Sequence, residues 1–173
     1  MSPTRSTEEQ LYAAELRSWL GRIWVVTSND ALRFVLINEP LRTLAPKPSV
    51  TVDESSRPIV LRESLHQIAE YFDGKRRVFD LPLDPRGTSF QREVWRETLN
   101  IPYGSTRTYA SLAASLGVPD GARAVGSALA SNPVPIVIPC HRVIRSDGTS
   151  GGYTKSPALK VMLLEFEHNN VKG

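Results

Sequence analysis

Cys140 is the only cysteine in this 173-residue chain, and it stands directly before His141 in the run NPVPIVIPCHRVIRSDGTSGGY. The thiolate is the reactive form of cysteine, and an ordinary thiol with a pKa of about 8.5 is mostly protonated at neutral pH. A neighbouring imidazole is the usual activator. If IVIPC is extended, however, adjacent side chains point to opposite faces. A water between the two groups, or a sharp turn at Pro139, is then the geometry that lets His141 take the thiol proton. The imidazole also needs an acceptor on its other nitrogen to fix its tautomer, and Glu167, Glu165 and Asp147 are the candidates. The plain alternative for a lone cysteine is a small buried hydrophobe. One cysteine and three scattered histidines have no metal-ligand spacing, so no metal site is expected. A disulfide framework is excluded as well, which fits a reducing compartment.

The elements that would position this pair divide the chain into two small domains, 1–85 and 86–173. The first reads as α/β. STEEQLYAAELRSWLG suggests a helix opened by a capping box from Thr7 to Gln10 and stopped at Gly21. RIWVVT and ALRFVLI, separated by SND, read as a hairpin and hence a small antiparallel sheet. Residues 40–57 are rich in proline, serine and charge and read as a connection. PIVLRESLHQIAEYFDG has Pro58 at its start, Leu61, Leu65, Ile68 and Phe72 on one face, and Gly74 to stop it. His66 on that helix has no metal partner in register. A punctuated linker, RRVFDLPLDPRG, follows.

The second domain reads as mainly helical. TSFQREVWRETLN carries a T-x-x-Q capping box, with Phe90, Val94, Trp95 and Leu99 as its apolar stripe. TYASLAASLG, the turn VPD and GARAVGSALASN form a helix-turn-helix pattern. A major-groove reader carries several polar side chains on its second helix. This one offers Gly121, Ala122, Ala124, Gly126 and Ala128 around a single long cation, Arg123, which suits close, sequence-independent approach to a minor groove. A last helix begins at Ser156 and Pro157, with Leu159, Met162, Leu163 and Phe166 as its apolar positions and Glu167 and His168 in its last turn.

Composition bounds the reading. With 40% apolar residues the chain can bury a core, and thirteen prolines and eleven glycines imply many turns. No apolar run is long enough to span a membrane, and MSPTRSTEEQ lacks a secretory pattern. Residues 1–85 hold 11 basic against 12 acidic side chains, whereas 86–173 hold 10 against 6. That excess is either ordinary solvated surface or the footprint of a polyanion on the second half.

IPYGSTRTYASLA, ARAVGSALASNPVPIVIPCHRVI, GGY and LKVMLLEFE, in this order and spacing, resemble the alkylguanine-DNA alkyltransferases, also called methylated-DNA–protein-cysteine methyltransferases. The resemblance covers residues 88–168; the first half shares only a loose α/β pattern and YFDGKRRVFDLPLD. It implies a direct-reversal DNA repair protein, acting once per molecule, that turns an alkylated guanine out of duplex DNA and moves its O6-alkyl group onto Cys140. It also implies roles by position. His141 would deprotonate Cys140 through a water, Glu167 would orient His141, and Asn132 would hold the loop. Tyr109 would attend the rotated nucleotide and donate to the departing base, and Arg123 would fill the vacated stack. Val143 and Cys140 would offer carbonyls to the guanine amino group, and Tyr153 and Thr154 would wall the pocket. Arg142 reads as structural, an ion pair or carbonyl anchor. Ala122, Ala124 and Gly126 would face the groove.

No cofactor is implied. The expected partner is double-stranded DNA, bound from its minor-groove side, by a monomer that could bind side by side on DNA, without membrane association. The expected location is the cytoplasm at the nucleoid, or the nucleus of a eukaryote. Lys155, Ser156 and Pro157 stand where the family often has a glycine, which stiffens the loop and bears on the size of alkyl group accepted. Three other readings fit parts of the pattern: a non-catalytic alkyltransferase-like damage-binding protein, which would lack the cysteine; a cysteine hydrolase using Cys140, His141 and Glu167; and a helix-turn-helix regulator.

Overall fold

The computed structural model describes residues 9–44, 50–51, 54–152 and 156–171. The chain opens with a three-stranded antiparallel meander: β1 (Tyr12–Ser18), β2 (Gly21–Thr27) and β3 (Leu32–Ile37). β4 (Val50–Thr51) adds to the far side of β1 in parallel, giving the order β3-β2-β1-β4. The helix expected over this first stretch is therefore a strand; the Thr7 cap lies outside the described residues. Alanine, leucine and glutamate favour helix locally, but seven consecutive residue pairs with β2 and the burial of Ala13 and Ala14 outweigh that preference. The β1–β2 turn closes at Gly21, whose φ of +115° suits glycine and whose added Cβ would collide with the Asn38 amide.

α1 (Ile59–Phe72) lies against this sheet and buries Leu61, Ile68 and Phe72 of its expected stripe, with Leu65 partly buried and Tyr71, outside that stripe, fully enclosed. Gly74, with φ +74°, follows its end. The linker then runs along β3: Leu32 N–H donates to Pro82 O at 2.8 Å and Asp84 N–H to Leu32 O at 3.1 Å. Arg33, only 4% exposed, lies between Glu9 (2.5 Å) and Asp84 (3.2 Å) and ties the linker to the sheet.

The second domain starts with α2 (Ser89–Leu99). Its capping box is formed: Gln91 N–H donates to Thr88 Oγ1 at 3.2 Å, and Thr88 N–H donates to Gln91 Oε1 at 2.8 Å. Val94 and Trp95 are buried, but Leu99 is 43% exposed and Thr98 is buried in its place. Thr98 can occupy the interior because its hydroxyl donates to Val94 O at 2.7 Å. After β5 (Arg107–Thr108) come α3 (Tyr109–Ser115) and α4 (Ala122–Ala130), joined by a turn with Gly117 at φ +74°. These are the two helices of the expected helix-turn-helix. Trp95 Nε1 donates to Ala128 O at 2.8 Å and fixes α2 on α4.

β6 (Val143–Ile144) pairs in parallel with β5, and α5 (Pro157–Val171) closes the domain. α5 departs from its expected stripe: Leu163 is buried, yet Met162 is 40% exposed, and the other fully enclosed side chains are Lys160 and Glu167. Spacings of three and four place Lys160, Leu163 and Glu167 on one face. The helix continues a full turn beyond Glu167. One core runs from the sheet through α1 and α2 to α4 and α5. β3 also bonds to the active-site run, Val35 N–H donating to Pro133 O at 2.9 Å.

Removing the formed cap should be measurable. Thr88→Ala is expected to lower stability by about 1 kcal/mol in a chemical-denaturant titration. A change under roughly 0.3 kcal/mol would mean that tertiary contacts alone set the start of α2.

Candidate active site

Two features turn the chain at the cysteine. Ile136 is buried with φ +76°, a left-handed conformation that β-branched residues rarely adopt. Residues Cys140–Arg142 then form a single 3-10 turn after Pro139. The segment is thus not simply extended, and successive side chains leave the turn in different directions. Cys140 faces a cavity while His141 and Arg142 point into the protein, where they are 0% and 5% exposed. Asn132 braces this loop: its Nδ2 donates to Ile138 O at 2.9 Å and to Cys140 Sγ at 3.1 Å, and its Oδ1 accepts from Val134 N–H at 2.9 Å. A donor on sulfur favours the thiolate.

Among the three candidate acceptors, Glu167 holds His141, with Nε2 and Oε1 2.7 Å apart. Asp147 instead accepts from Thr149 within its own turn, and Glu165 is exposed. The Glu167 carboxylate is almost wholly buried and meets four more donors. Arg142 reaches it with Nε (2.9 Å, Oε2) and Nη2 (3.0 Å, Oε1), Gly104 with its N–H (3.0 Å, Oε2) and Tyr71 with its hydroxyl (2.8 Å, Oε1). Arg142 also donates to Ile101 O at 2.7 Å, so it is at once the ion pair and the carbonyl anchor expected of it. Burial pushes the Glu167 pKa up, but the hydrogen bonds from His141 and Arg142, with the Arg142 charge, overcome this and hold it at about 2.

An ionised carboxylate only accepts, so His141 Nε2 must carry the proton. Nδ1 is then the basic nitrogen; it is buried and has no hydrogen-bond partner among the described residues. Burial lowers the His141 pKa below its ordinary value, against the pull of Glu167, and keeps the ring neutral. A neutral imidazole with a fixed tautomer and a vacant lone pair is a general base in waiting.

The cavity on the other side of Cys140 has a volume of about 800 Å³ and is lined by Tyr109, Arg123, Gly126, Cys140, Arg145 and Gly152, among others. Tyr109 leads α3, and its hydroxyl donates to Gly152 O at 3.1 Å. Burial raises the Tyr109 pKa, and Cys140 raises it further. Arg123 projects from α4 and is exposed; no ion pair joins it to Asp120 among the described residues. Ala122 also lines the cavity, while Ala124 is exposed on α4 and is not part of the lining. Tyr153 and Thr154 lie outside the described residues. No cluster of three or more metal-ligating side chains occurs among the described residues.

Lys160 is the site residue that the sequence reading missed. Fully buried, it donates from Nζ to Val143 O at 2.5 Å, to Tyr109 Oη at 3.1 Å and to Gly152 O at 3.3 Å. Burial lowers its pKa to about 8, with Cys140 acting in the opposite direction. The carbonyl of Val143 expected for substrate is thus already bonded to Lys160, and that of Cys140 accepts Val143 N–H. Each carbonyl keeps a second lone pair. A lysine in register with Leu163 and Glu167 was the available signal.

Known proteins match this chain across both domains. Residues 89–169 match the family described as 6-O-methylguanine DNA methyltransferase, DNA binding domain, and 11–85 match its ribonuclease-like domain. A methylated-DNA–protein-cysteine methyltransferase of Methanosarcina acetivorans is 36% identical over 157 residues, spanning 91% of this chain and 98% of the relative. The protein of the same name from Methanosarcina barkeri is 50% identical over 111 residues, covering 64% of this chain and 70% of the relative. The crystal structure of Mycobacterium tuberculosis OGT in complex with DNA superposes with a TM-score of 0.79 at 34% identity, covering 93% of this chain and 94% of that one. The matches to both domains, and a relative 36% identical over 91% of the chain, place this chain in the 6-O-methylguanine DNA methyltransferase family.

Proposed function

We propose that this protein is a direct-reversal DNA repair methyltransferase, which takes the O6-alkyl group of a guanine in duplex DNA onto its own Cys140. The observation that carries the reading is Cys140, bonded to Asn132 and facing a cavity beneath a helix-turn-helix, directly before the buried hydrogen-bonded group His141–Glu167–Arg142. His141 Nδ1 takes the thiol proton through a water. The thiolate attacks the alkyl carbon in line with the C–O6 bond; a C–S bond forms as C–O6 breaks, and the electron pair leaves on guanine. Tyr109 donates a proton to the departing base, and Lys160, bonded to Tyr109 Oη, offsets the charge left on the phenol. The product is guanine and a thioether, with no step that restores the thiol and no cofactor.

The division falls at residues 85 and 86. The second domain binds DNA from the minor-groove side, with little sequence preference, through α4, where Ala122, Ala124 and Gly126 allow close approach and Arg123 enters the duplex. Tyr153 and Thr154 wall the guanine pocket, and the carbonyls of Val143 and Cys140 accept from its amino group. The protein acts as a monomer, with side-by-side binding on DNA, in the cytoplasm at the nucleoid. No helix among the described residues is long and apolar enough to cross a membrane. A non-catalytic damage-binding protein would lack the nucleophile, whereas Cys140 is present and its sulfur receives a donor.

The direct test is intact mass after mixing with excess O6-methylguanine duplex. One methyl group per chain, located on Cys140, is expected; continued turnover, or a gain elsewhere, would contradict the mechanism.

Removing the charge behind His141 should act on the thiol. Glu167→Gln is expected to raise the apparent pKa of Cys140 and to slow transfer at neutral pH about tenfold for each unit of that rise. It should also lower stability by roughly 3 kcal/mol, because Arg142 is left buried without its counter-charge. DNA affinity of the folded variant should change little. A rate–pH profile identical to that of the wild type would rule out the relay.

Binding and chemistry separate at Arg123. Arg123→Ala should slow repair of duplex DNA strongly, since the vacated stack loses its filler, while reaction with a free O6-alkylguanine base stays near normal. Equal losses on both substrates would indicate a folding defect, and no loss on duplex would leave Arg123 as ordinary surface charge.

A further inference from the structure

We infer that Tyr71, on α1 of the N-terminal domain, is a positioning residue for the thiol relay: its hydroxyl bonds to the oxygen of Glu167 that holds His141, and so sets how strongly that carboxylate supports the imidazole. Oε1 of Glu167 accepts from Tyr71 Oη at 2.8 Å and lies 2.7 Å from His141 Nε2. Tyr71 is 0% exposed. Its ring is fixed by Phe72, Phe79, Tyr103 and Phe166, at centroid distances of 5.4, 5.7, 6.0 and 5.6 Å. A phenylalanine would make the same packing contacts, so the hydroxyl serves only the bond to Glu167. Burial and the Glu167 charge push the Tyr71 pKa well up, so the group stays a neutral donor throughout the working range.

The consequence follows from how donors share an acceptor. Each hydrogen bond to Oε1 draws electron density from the carboxylate and weakens its support of positive charge on His141. Taking the Tyr71 bond away makes Glu167 a better base, favours the imidazolium–thiolate pair and lowers the apparent pKa of Cys140. The other groups around this carboxylate are His141 and Arg142 on the 3-10 turn, Tyr103 and Gly104 N–H on the loop after α2, and Lys160 about two turns earlier on α5. None of them changes in the comparison. Among the described residues, Tyr71 is the side chain through which the first domain bonds to the relay. The first domain is thereby part of the reaction's machinery as well as a support for the fold.

The inference rests on the proposed methyl transfer, and the test separates the two. The rate of transfer from an O6-methylguanine duplex is measured against pH for three full-length proteins: wild type, Tyr71→Phe, and a protein carrying 3,5-difluorotyrosine at position 71. Tyr71→Phe should move the midpoint to lower pH by about 0.5 to 1 unit, a part of the strength of one hydrogen bond to a charged group. Difluorotyrosine, a stronger donor with nearly the same shape, should move it to higher pH. Opposite shifts support the role, since a packing defect has no reason to follow donor strength. If the phenylalanine variant does not fold, the direction of the difluorotyrosine shift decides. A wild type that transfers methyl with a profile unmoved by either variant, or moved the same way by both, overturns the role of Tyr71. A wild type that transfers nothing overturns the functional reading itself, and this inference with it.

Discussion

A carboxylate sealed from water keeps its charge only when other donors replace its hydration shell, and Glu167 gathers five from four residues in three parts of the chain. They come from α1, from the loop after α2 and from both residues that follow the cysteine. This arrangement explains several features at once. It requires Arg142 to turn inward, so the chain bends at Cys140–Arg142, and the bend sends Cys140 to the cavity. It fixes the tautomer of His141, which leaves Nδ1 as the base. It also draws α1 and α5 together across the domain boundary, where Tyr71 and Phe166 pack edge to face. Buried charge of this kind is weak evidence for stability. Its value here is in orientation.

The cavity is organised by a second buried charge of opposite sign. Lys160 sits one turn of α5 and a few residues before Glu167, yet its Nζ points toward Tyr109, Val143 and Gly152. Burial lowers its pKa to about 8, so it exchanges a proton more readily than a solvated lysine. The thiol and the phenol therefore each have a buried partner: Glu167 acting through His141 for Cys140, and Lys160 directly for Tyr109. Such a split between a base side and an acid side suits displacement, in which one proton leaves the nucleophile and another must reach the leaving group. The left-handed backbone at Ile136 belongs to the same design, because it shapes the loop that Asn132 closes on the sulfur.

Much of this was legible in the sequence, for physical reasons that differ by element. Local rules worked where the signal was local: the Thr88–Gln91 capping box, the α1 stripe and the helix pair at 109–130 all form. The motifs over residues 88–168 resemble a family closely enough to name Asn132, His141 and Glu167; the structure bonds Asn132 to Cys140 and His141 to Glu167. Reading failed where long-range pairing decides. β1 has helix-forming composition and becomes a strand because β2 and β4 pair with it. Leu99 and Met162 looked like core but are exposed, since Thr98, Lys160 and Glu167 are inward and satisfied by hydrogen bonds. Tyr71 gave no signal at all: an aromatic on an amphipathic helix is ordinary core until its partner, ninety-six residues away, is known.

The central claim is that an ionised Glu167 fixes the tautomer of a His141 that burial keeps neutral, with its proton on Nε2 and a free lone pair on Nδ1. Nitrogen-15 NMR of ring-labelled histidine in the unreacted protein measures this directly. At neutral pH the account predicts a protonated Nε2 and an unprotonated Nδ1 for His141, with both signals lost from this pattern in Glu167→Gln. A proton on Nδ1, or an imidazolium with both nitrogens protonated at neutral pH, would contradict it.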